Sequence, residues 1–332
     1  MKLVSIERLP SETVEAHAAS IVYHEGHRVV TWFGGEREGI YCSIYAKVDT
    51  NEAVMIHTPR FRPGKYNSLW NPVIFSADGD LLMFHKEGKF CDSWQTFFSK
   101  CSIVDGKVVV EHAVNMPAGI HGTVKTKPYM EGNLLICGSS VETDFDWACY
   151  VEIFVYEKGK LSLLGRSHPI KNKAGQNKMK GILQPAIWKE GNIFHMLTRS
   201  SAKSSFIYHA QSKPDNPTLW SQATPTNINN PNSSIDVLQH SNGKLYMVCN
   251  PDAEQRLPLS VMETSITHKY SIPSLAIHNS LDINLEDGWL GMFKRRRTVE
   301  LSYPYMIERP DGKIDIAHTC CRKEIRIATI EV

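Results

Sequence analysis

No stretch of the 332-residue sequence approaches the roughly 18 consecutive apolar residues that a membrane-spanning helix needs. The opening segment, MKLVSIERLPSETVEAHAAS, has Lys2 but no apolar run behind it, because Glu7, Glu12 and Glu15 intervene. That is not a secretory signal peptide, so the chain as it stands reads as cytoplasmic. Charge of one sign is also missing: 37 Lys and Arg against 35 Asp and Glu leave +2. Neither nucleic acid nor a membrane surface is therefore expected as a partner. The one dense basic run, Lys294 to Arg297, reads as a solvated loop or strand edge. No Cys-x-x-Cys occurs among the eight cysteines, and His24-x-x-His27 stands alone, so no metal and no cofactor are expected. Cys137, Cys149 and Cys249 lie within apolar runs, as buried thiols of a reducing compartment do, and no disulfide is expected. The sequence leaves the oligomeric state open.

Long amphipathic helical patterns are missing too, which argues against α/β architectures. What is present is a repeated turn. An acidic or Asn residue precedes Gly, and a short apolar run follows, at Glu25-Gly26, Asp78-Gly79, Glu131-Gly132, Glu190-Gly191, Asn242-Gly243 and Asp311-Gly312. Glycine supplies the positive φ of a tight hairpin, and the flanking runs, such as ASIVY, NPVIF and PAIW, read as strands. The glycines are 53, 53, 59, 52 and 69 residues apart, and a four-stranded propeller blade occupies about 50 residues. Asp105-Gly106 reads as an outer turn of the second unit, and Asp287-Gly288 as the outer hairpin turn within the long last step. A β-sandwich needs no such period. The expectation is an all-β, six-bladed β-propeller of four-stranded antiparallel blades, with residues 1–332 as one domain.

In an antiparallel hairpin the start of the first strand and the end of the second share one edge. The first strands open with His17, Asn71, Lys125 and Lys127, Gln184, Asn232 and Ser233, and Tyr303. The second strands end at Glu36, Lys86, Glu142, Arg199, Asn250 and Arg322. Used as inner strands, these hairpins ring one mouth of the central channel with polar groups. Cations, carboxylates and amides together suit a hydroxyl-rich ligand with an anionic group, since Arg grips carboxylate while amides serve hydroxyls. Trp32, Trp70 and Trp147 are aromatic neighbours with a face to offer a sugar, or else core.

The strings AHAASIV, TWFGGEREG, LWNPVIF, GTVKTKP, GSSVET, LQPAIW, LTRS, NNPNSSID and LSYPYMI, in this order from His17 to Arg322, resemble the sialidase-like family of BNR-repeat propellers. The family's Ser-x-Asp-x-Gly-x-Thr-Trp turn survives only in degenerate form, from Ser212 through Asp215 and Thr218 to Trp220. The resemblance implies a six-bladed propeller acting on glycans. Its sialidases use a Tyr nucleophile activated by a Glu, an Asp acid/base and three arginines on the substrate carboxylate. Tyr303 matches the nucleophile's place. Glu142 or Glu300 stands as its partner, and Arg199, Arg256 and Arg322 as the arginine cluster. Two departures follow. The Phe-Arg-Ile-Pro motif of the first arginine is missing, with His17 in that stretch, and the loop after Gly34-Gly35 reads EREGIYCS without an Asp. Glu36, Glu38 or His17 would replace the acid. Three functions are open: a glycoside hydrolase acting on a glycan with an acidic sugar; a polysaccharide lyase using His17, Tyr303, Lys125 and Arg199 across a uronic acid; or a non-catalytic glycan binder.

Overall fold

A computed structural model describes residues 1–60, 67–143, 146–172, 181–201, 206–269, 272–284 and 299–332. They fold into six small antiparallel sheets arranged in a ring, a six-bladed β-propeller. Blade I contains Glu15–His24, His27–Gly35, Ser43–Val48 and Val54–His57. Blade II contains Ser68–Ala77, Asp80–Gly88, Gln95–Val104 and Lys107–Asn115. Blade III contains Tyr129–Glu131, Leu134–Glu142, Trp147–Glu157 and Lys160–Arg166. Blade IV contains Ile182–Glu190, Ile193–Ser200, Phe206–Lys213 and Asn216–Trp220, with Thr224–Asn229 also pairing its third strand. Blade V contains Asp236–Gln239, Leu245–Cys249, Leu259–Lys269 and Ile272–Ile283. Blade VI contains Leu301–Glu308, Ile314–Cys320 and Glu324–Glu331, and its outermost strand is Lys2–Pro10 from the other end of the chain. That last pairing, Leu9 opposite Ile325, closes the ring. The only helix among the described residues is a 3-10 turn at Cys91–Ser93.

The six repeat glycines occupy the same turn in every blade, between first and second strands, with φ from +58° to +84°. A Cβ is strained at such angles, which is why the repeat is legible as glycine. Asp105-Gly106 is the outer turn of blade II as expected, between Val104 and Lys107. The long last step has a different origin from the one expected. The outer hairpin of blade V pairs Leu259–Lys269 with Ile272–Ile283, so its turn falls between 269 and 272. Asp287-Gly288 and the Lys294–Arg297 run lie outside the described residues.

Apolar side chains form one dry cluster at each of the six seams between neighbouring blades. Ile21, Trp32, Tyr305, Ala317 and Ile327 join blade I to blade VI, and Val261, Ile283, Met306, Ile314 and Ile316 join V to VI. The other four seams are built alike. Ile316→Ala should therefore cost about 2–5 kcal/mol in urea unfolding, whereas Val109→Ala, on an exposed outer strand, should stay within about 0.5 kcal/mol. An equal effect at both positions would contradict the seam as the seat of the core.

Each blade also carries one residue of positive φ near the entry to its first strand: Ala18, Asn71, Gly122, Gln184, Asn232 and Tyr303. In blades I, II, IV and VI it coincides with a register shift, at His17/Ser20, Trp70/Val73, Leu183/Ala186 and Ser302/Tyr305. Such a bulge re-aims a side chain out of the ladder. Non-glycine residues in this region cost ~1–3 kcal/mol each and persist where surrounding structure enforces them.

Blade III departs from the pattern, because its first strand is reduced to Tyr129–Glu131. Buried Glu152 takes over, accepting from the backbone N–H groups of His121 (3.0 Å) and Gly122 (2.6 Å) and forming an ion pair with Arg166 (3.2 Å). Buried Lys86 donates to the carbonyls of His121 and Thr123. Side chains thus satisfy backbone groups that a ladder would have paired.

Candidate active site

The positive-φ residues near the first strands of blades IV, V and VI converge on Arg199, which the strand Ile193–Ser200 carries to its end. Its Nε donates to Asn232 Oδ1 (2.8 Å), and its Nη1 to Gln184 Oε1 (3.0 Å) and to the Tyr303 hydroxyl (3.0 Å). All three acceptors are the positive-φ residues of their blades. Arg199 is buried and has no carboxylate partner among the described residues, so its charge stays uncompensated.

Two more arginines flank the same tyrosine. Arg256 donates to Glu300 Oε2 (3.1 Å) and to the Asn232 carbonyl (2.9 Å), and its guanidinium lies 5.9 Å from the Tyr303 ring centroid. Arg322 donates to Glu300 Oε1 (2.9 Å) and pairs with Glu38. Glu300 therefore holds Arg256 and Arg322 together. Burial lowers the Arg256 pKa against the opposing pull of Glu300.

His17 enters from blade I. Its ring centroid is 4.2 Å from that of Tyr303, tilted by 52°, and 5.6 Å from that of Phe33. Both ring nitrogens are buried, and neither has a hydrogen-bond partner among the described residues. Burial, then the charges of Arg322, Arg256, Lys125 and Arg199, hold its pKa well below the usual histidine value. The ring is neutral at pH 7. Ala18, Phe33, Cys42 and Trp70, with Trp94 and Tyr303 against them, form the apolar wall beside it.

The structure thus brings His17, Gln184, Arg199, Asn232, Arg256, Tyr303 and Arg322 together. It places several expected residues elsewhere. Lys125 is buried in the channel, donating to the bulge carbonyls of Ala19 (3.1 Å) and Pro304 (3.4 Å). Lys127 is tied to Asp236 (2.6 Å), with both lysines 5.1 Å from the centre of the Tyr305 ring. Lys86 serves blade III, as described. Asn250 uses its amide on the carbonyls of Pro258 and Leu301, and Ser233 lies in a local turn closed by Asn230. Asn71 is buried without a hydrogen-bond partner among the described residues. Glu36 is exposed and unpaired, and Glu38, two residues on, makes the contact to Arg322. Glu300 lies among the arginines rather than on the Tyr303 hydroxyl. Trp32 packs in the I–VI seam. The degenerate turn from Ser212 to Trp220 joins the third and fourth strands of blade IV, with Asp215 held by Asn192 beside the Gly191 turn.

Glu142 lies in an adjoining cleft of about 460 Å³, lined by Trp70, Phe90, Cys91, Asp92, Glu142, Thr143 and Trp147. Burial raises its pKa, with Arg199 pulling it down and Glu38 pushing it up. Phe90, Cys91 and Asp92 were not expected, since they lie on the connection between second and third strands, away from the repeated turn. Among the described residues no group of three or more His, Cys, Asp or Glu is placed to hold a metal ion. The eight cysteines are free thiols.

A ring of six small antiparallel sheets around a polar mouth defines a six-bladed β-propeller. Residues 26–316 match the BNR repeat-like domain, and the chain belongs to that family. Its fold is similar to that of Trypanosoma rangeli sialidase, with a TM-score of 0.66 and 11% identity over 99% of this chain and 60% of that one. It therefore spans about 60% of that enzyme's length. The leech intramolecular trans-sialidase gives a TM-score of 0.54 at 10% identity, covering 100% of this chain and 70% of that one. The intramolecular trans-sialidase of Ruminococcus gnavus gives 0.52 at 10% identity, covering 97% and 95%. No curated protein matches the sequence.

Proposed function

We propose that the protein is a sialidase-like glycoside hydrolase acting on a glycan that carries a carboxylate-bearing sugar. The observation that carries this reading is the uncompensated Arg199, flanked by Arg256 and Arg322 around the Tyr303 hydroxyl. A ligand carboxylate supplies the charge the site lacks, in the fork geometry that guanidinium groups prefer. Structures of the similar Trypanosoma rangeli enzyme include one with sialic acid, which supports an acidic sugar as ligand class. In this reading Tyr303 is the nucleophile, passing its proton to the Glu300 carboxylate as it attacks, with Arg199 stabilising the developing phenolate charge. Glu38, which reaches the mouth beside Arg322, is the proton donor to the leaving oxygen.

One observation favours a second chemistry. Among the described residues no carboxylate accepts the Tyr303 hydroxyl, whereas a neutral histidine lies against its ring. Elimination across a uronic acid needs that set: His17 takes the proton beside the carboxylate, Tyr303 protonates the leaving oxygen, and the arginines neutralise the carboxylate.

A screen against sialosides, other aryl glycosides and uronate polysaccharides separates the two, reading both released aglycone and the ultraviolet absorbance of an unsaturated uronate. Aglycone release without absorbance supports hydrolysis, and absorbance supports elimination. Neither signal on any acidic substrate contradicts both. In either case Arg199→Ala should weaken binding of the acidic sugar by about 2–3 kcal/mol, roughly 30- to 150-fold, the value of a charged hydrogen-bonded pair. Calorimetric titration of the variant checks this, and unchanged affinity would remove Arg199 from the site.

A further inference from the structure

The cleft beside the arginine cluster has the opposite electrical character. Its described lining holds two carboxylates, Asp92 and Glu142, and three aromatic side chains, Trp70, Phe90 and Trp147, but no cation. Glu142 has no hydrogen-bond or ion-pair partner among the described residues. The lysines nearby are engaged away from it: Lys171 pairs with Asp146, and Lys89 lies 5.0 Å from the Phe90 ring centroid while lining the neighbouring 310 Å³ cleft. Phe90 is 58% exposed, which leaves more than half of it open to solvent at the cleft. The Trp70 indole is fixed by its Nε1–H bond to Gly88 O (2.9 Å), and that of Trp147 by its bond to Thr143 O (3.0 Å). Two oriented indoles and a free phenyl beside unpaired carboxylates make a cage for a cation with an apolar face.

We infer that this cleft is a second sugar subsite, selective for a residue that carries an ammonium group. The cleft and the arginine cluster share the Trp70 wall, which packs in one cluster with Phe33 and Tyr303. Together they make a bipolar groove, cationic at Arg199, Arg256 and Arg322 and anionic at Glu142 and Asp92. The ligand class that fits is an acidic sugar joined to an amino sugar. Ring faces stack on Trp147 and Phe90, and the ammonium meets Glu142.

The joined ligand rests on the acidic-sugar reading above, but the amine selectivity does not, so the test uses simple probes. Glucosamine, glucose and N-acetylglucosamine are titrated into the protein at pH 6.5, with tryptophan fluorescence and ligand NMR line broadening as readouts. Glucosamine should bind at least roughly tenfold more tightly than the other two. Glu142→Gln should erase the difference, and Trp147→Ala should weaken all glucosamine binding. Arg199→Ala should leave the preference intact while weakening binding of an acidic sugar roughly 30- to 150-fold. Equal binding of the three probes, no binding of any, or a preference that survives Glu142→Gln overturns the inference. An acidic sugar that fails to bind while glucosamine still does overturns the arginine-site reading instead.

Discussion

Tyr303→Phe should lower kcat by at least roughly a hundredfold, the lower range for loss of a proton-transferring group, while binding of the acidic sugar stays within a few-fold. The hydroxyl accepts one hydrogen bond, from Arg199, and Arg199 keeps Gln184 and Asn232 as partners when it goes. The arginine is therefore not released from its place, and ground-state contacts to a carboxylate persist. What disappears is an interaction needed only as bonds break, and such a loss falls on kcat rather than on KM. The phenyl ring still fills the space against His17, so the variant should unfold at nearly the wild-type urea concentration. A fall in affinity equal to the fall in kcat would instead make Tyr303 a binding residue. His17→Ala separates the chemistries further. It should match Tyr303→Phe in damage if His17 is the base of an elimination, and fall well short of it in a hydrolase.

The second large effect is on stability. Acidification from pH 6.5 to pH 4.5 should lower the urea midpoint steeply. Burial lowers the pKa of His121 and His318 to about 4, and that of His17 and His85 well below the usual value. Between those folded-state values and 6.5, the unfolded chain binds protons that the folded chain does not. Stability from these groups is therefore complete above 6.5 and is lost as pH falls. Each contributes up to ~1.4 kcal/mol per pH unit. Glu142 and Glu152, with carboxyls pushed up by burial, oppose this, two groups against four. Lys86 and Lys125, lowered by burial to about 7, extend the rise in stability above neutrality. It continues until the buried thiols reverse it, since Cys101 and Cys249 are pushed up to about 12. His85 lies 5.3 Å from the Phe97 ring centroid with neither nitrogen bonded, so His85→Phe fits and should flatten the acid limb by one group. A flat profile from pH 6.5 to 4.5 would contradict the buried neutral histidines.

The turns were legible because their chemistry is local: a positive φ selects glycine whatever the rest of the chain does. The closure of blade VI by Lys2–Pro10 was not, since nothing in that strand names its partner 300 residues away in sequence. The offsets from the turns located His17, Gln184, Arg199, Asn232 and Tyr303 at one mouth, because the bulge that aims them recurs. The same offsets misdirected Lys86, Lys125 and Lys127. Blade III has lost most of its first strand, and Lys86 of blade II, with Lys125 and Lys127 beside that shortened strand, serves carbonyls and a carboxylate that only the tertiary structure supplies. Glu36 and Glu38 lie in one loop with like composition, and only the position of Arg322 separates the exposed one from the paired one. The lining contributed by Phe90 and Asp92 had no signal, because it comes from connections that do not repeat.

The central claim is that the mouth recognises a carboxylate. Its most direct test is a pair of ligands that differ in that group alone: a sialic acid glycoside and its methyl ester, titrated at low ionic strength. The acid should bind at least roughly 30-fold more tightly than the ester, and Arg199→Ala should bring the two together. Equal affinity of acid and ester for the unaltered protein would contradict the claim.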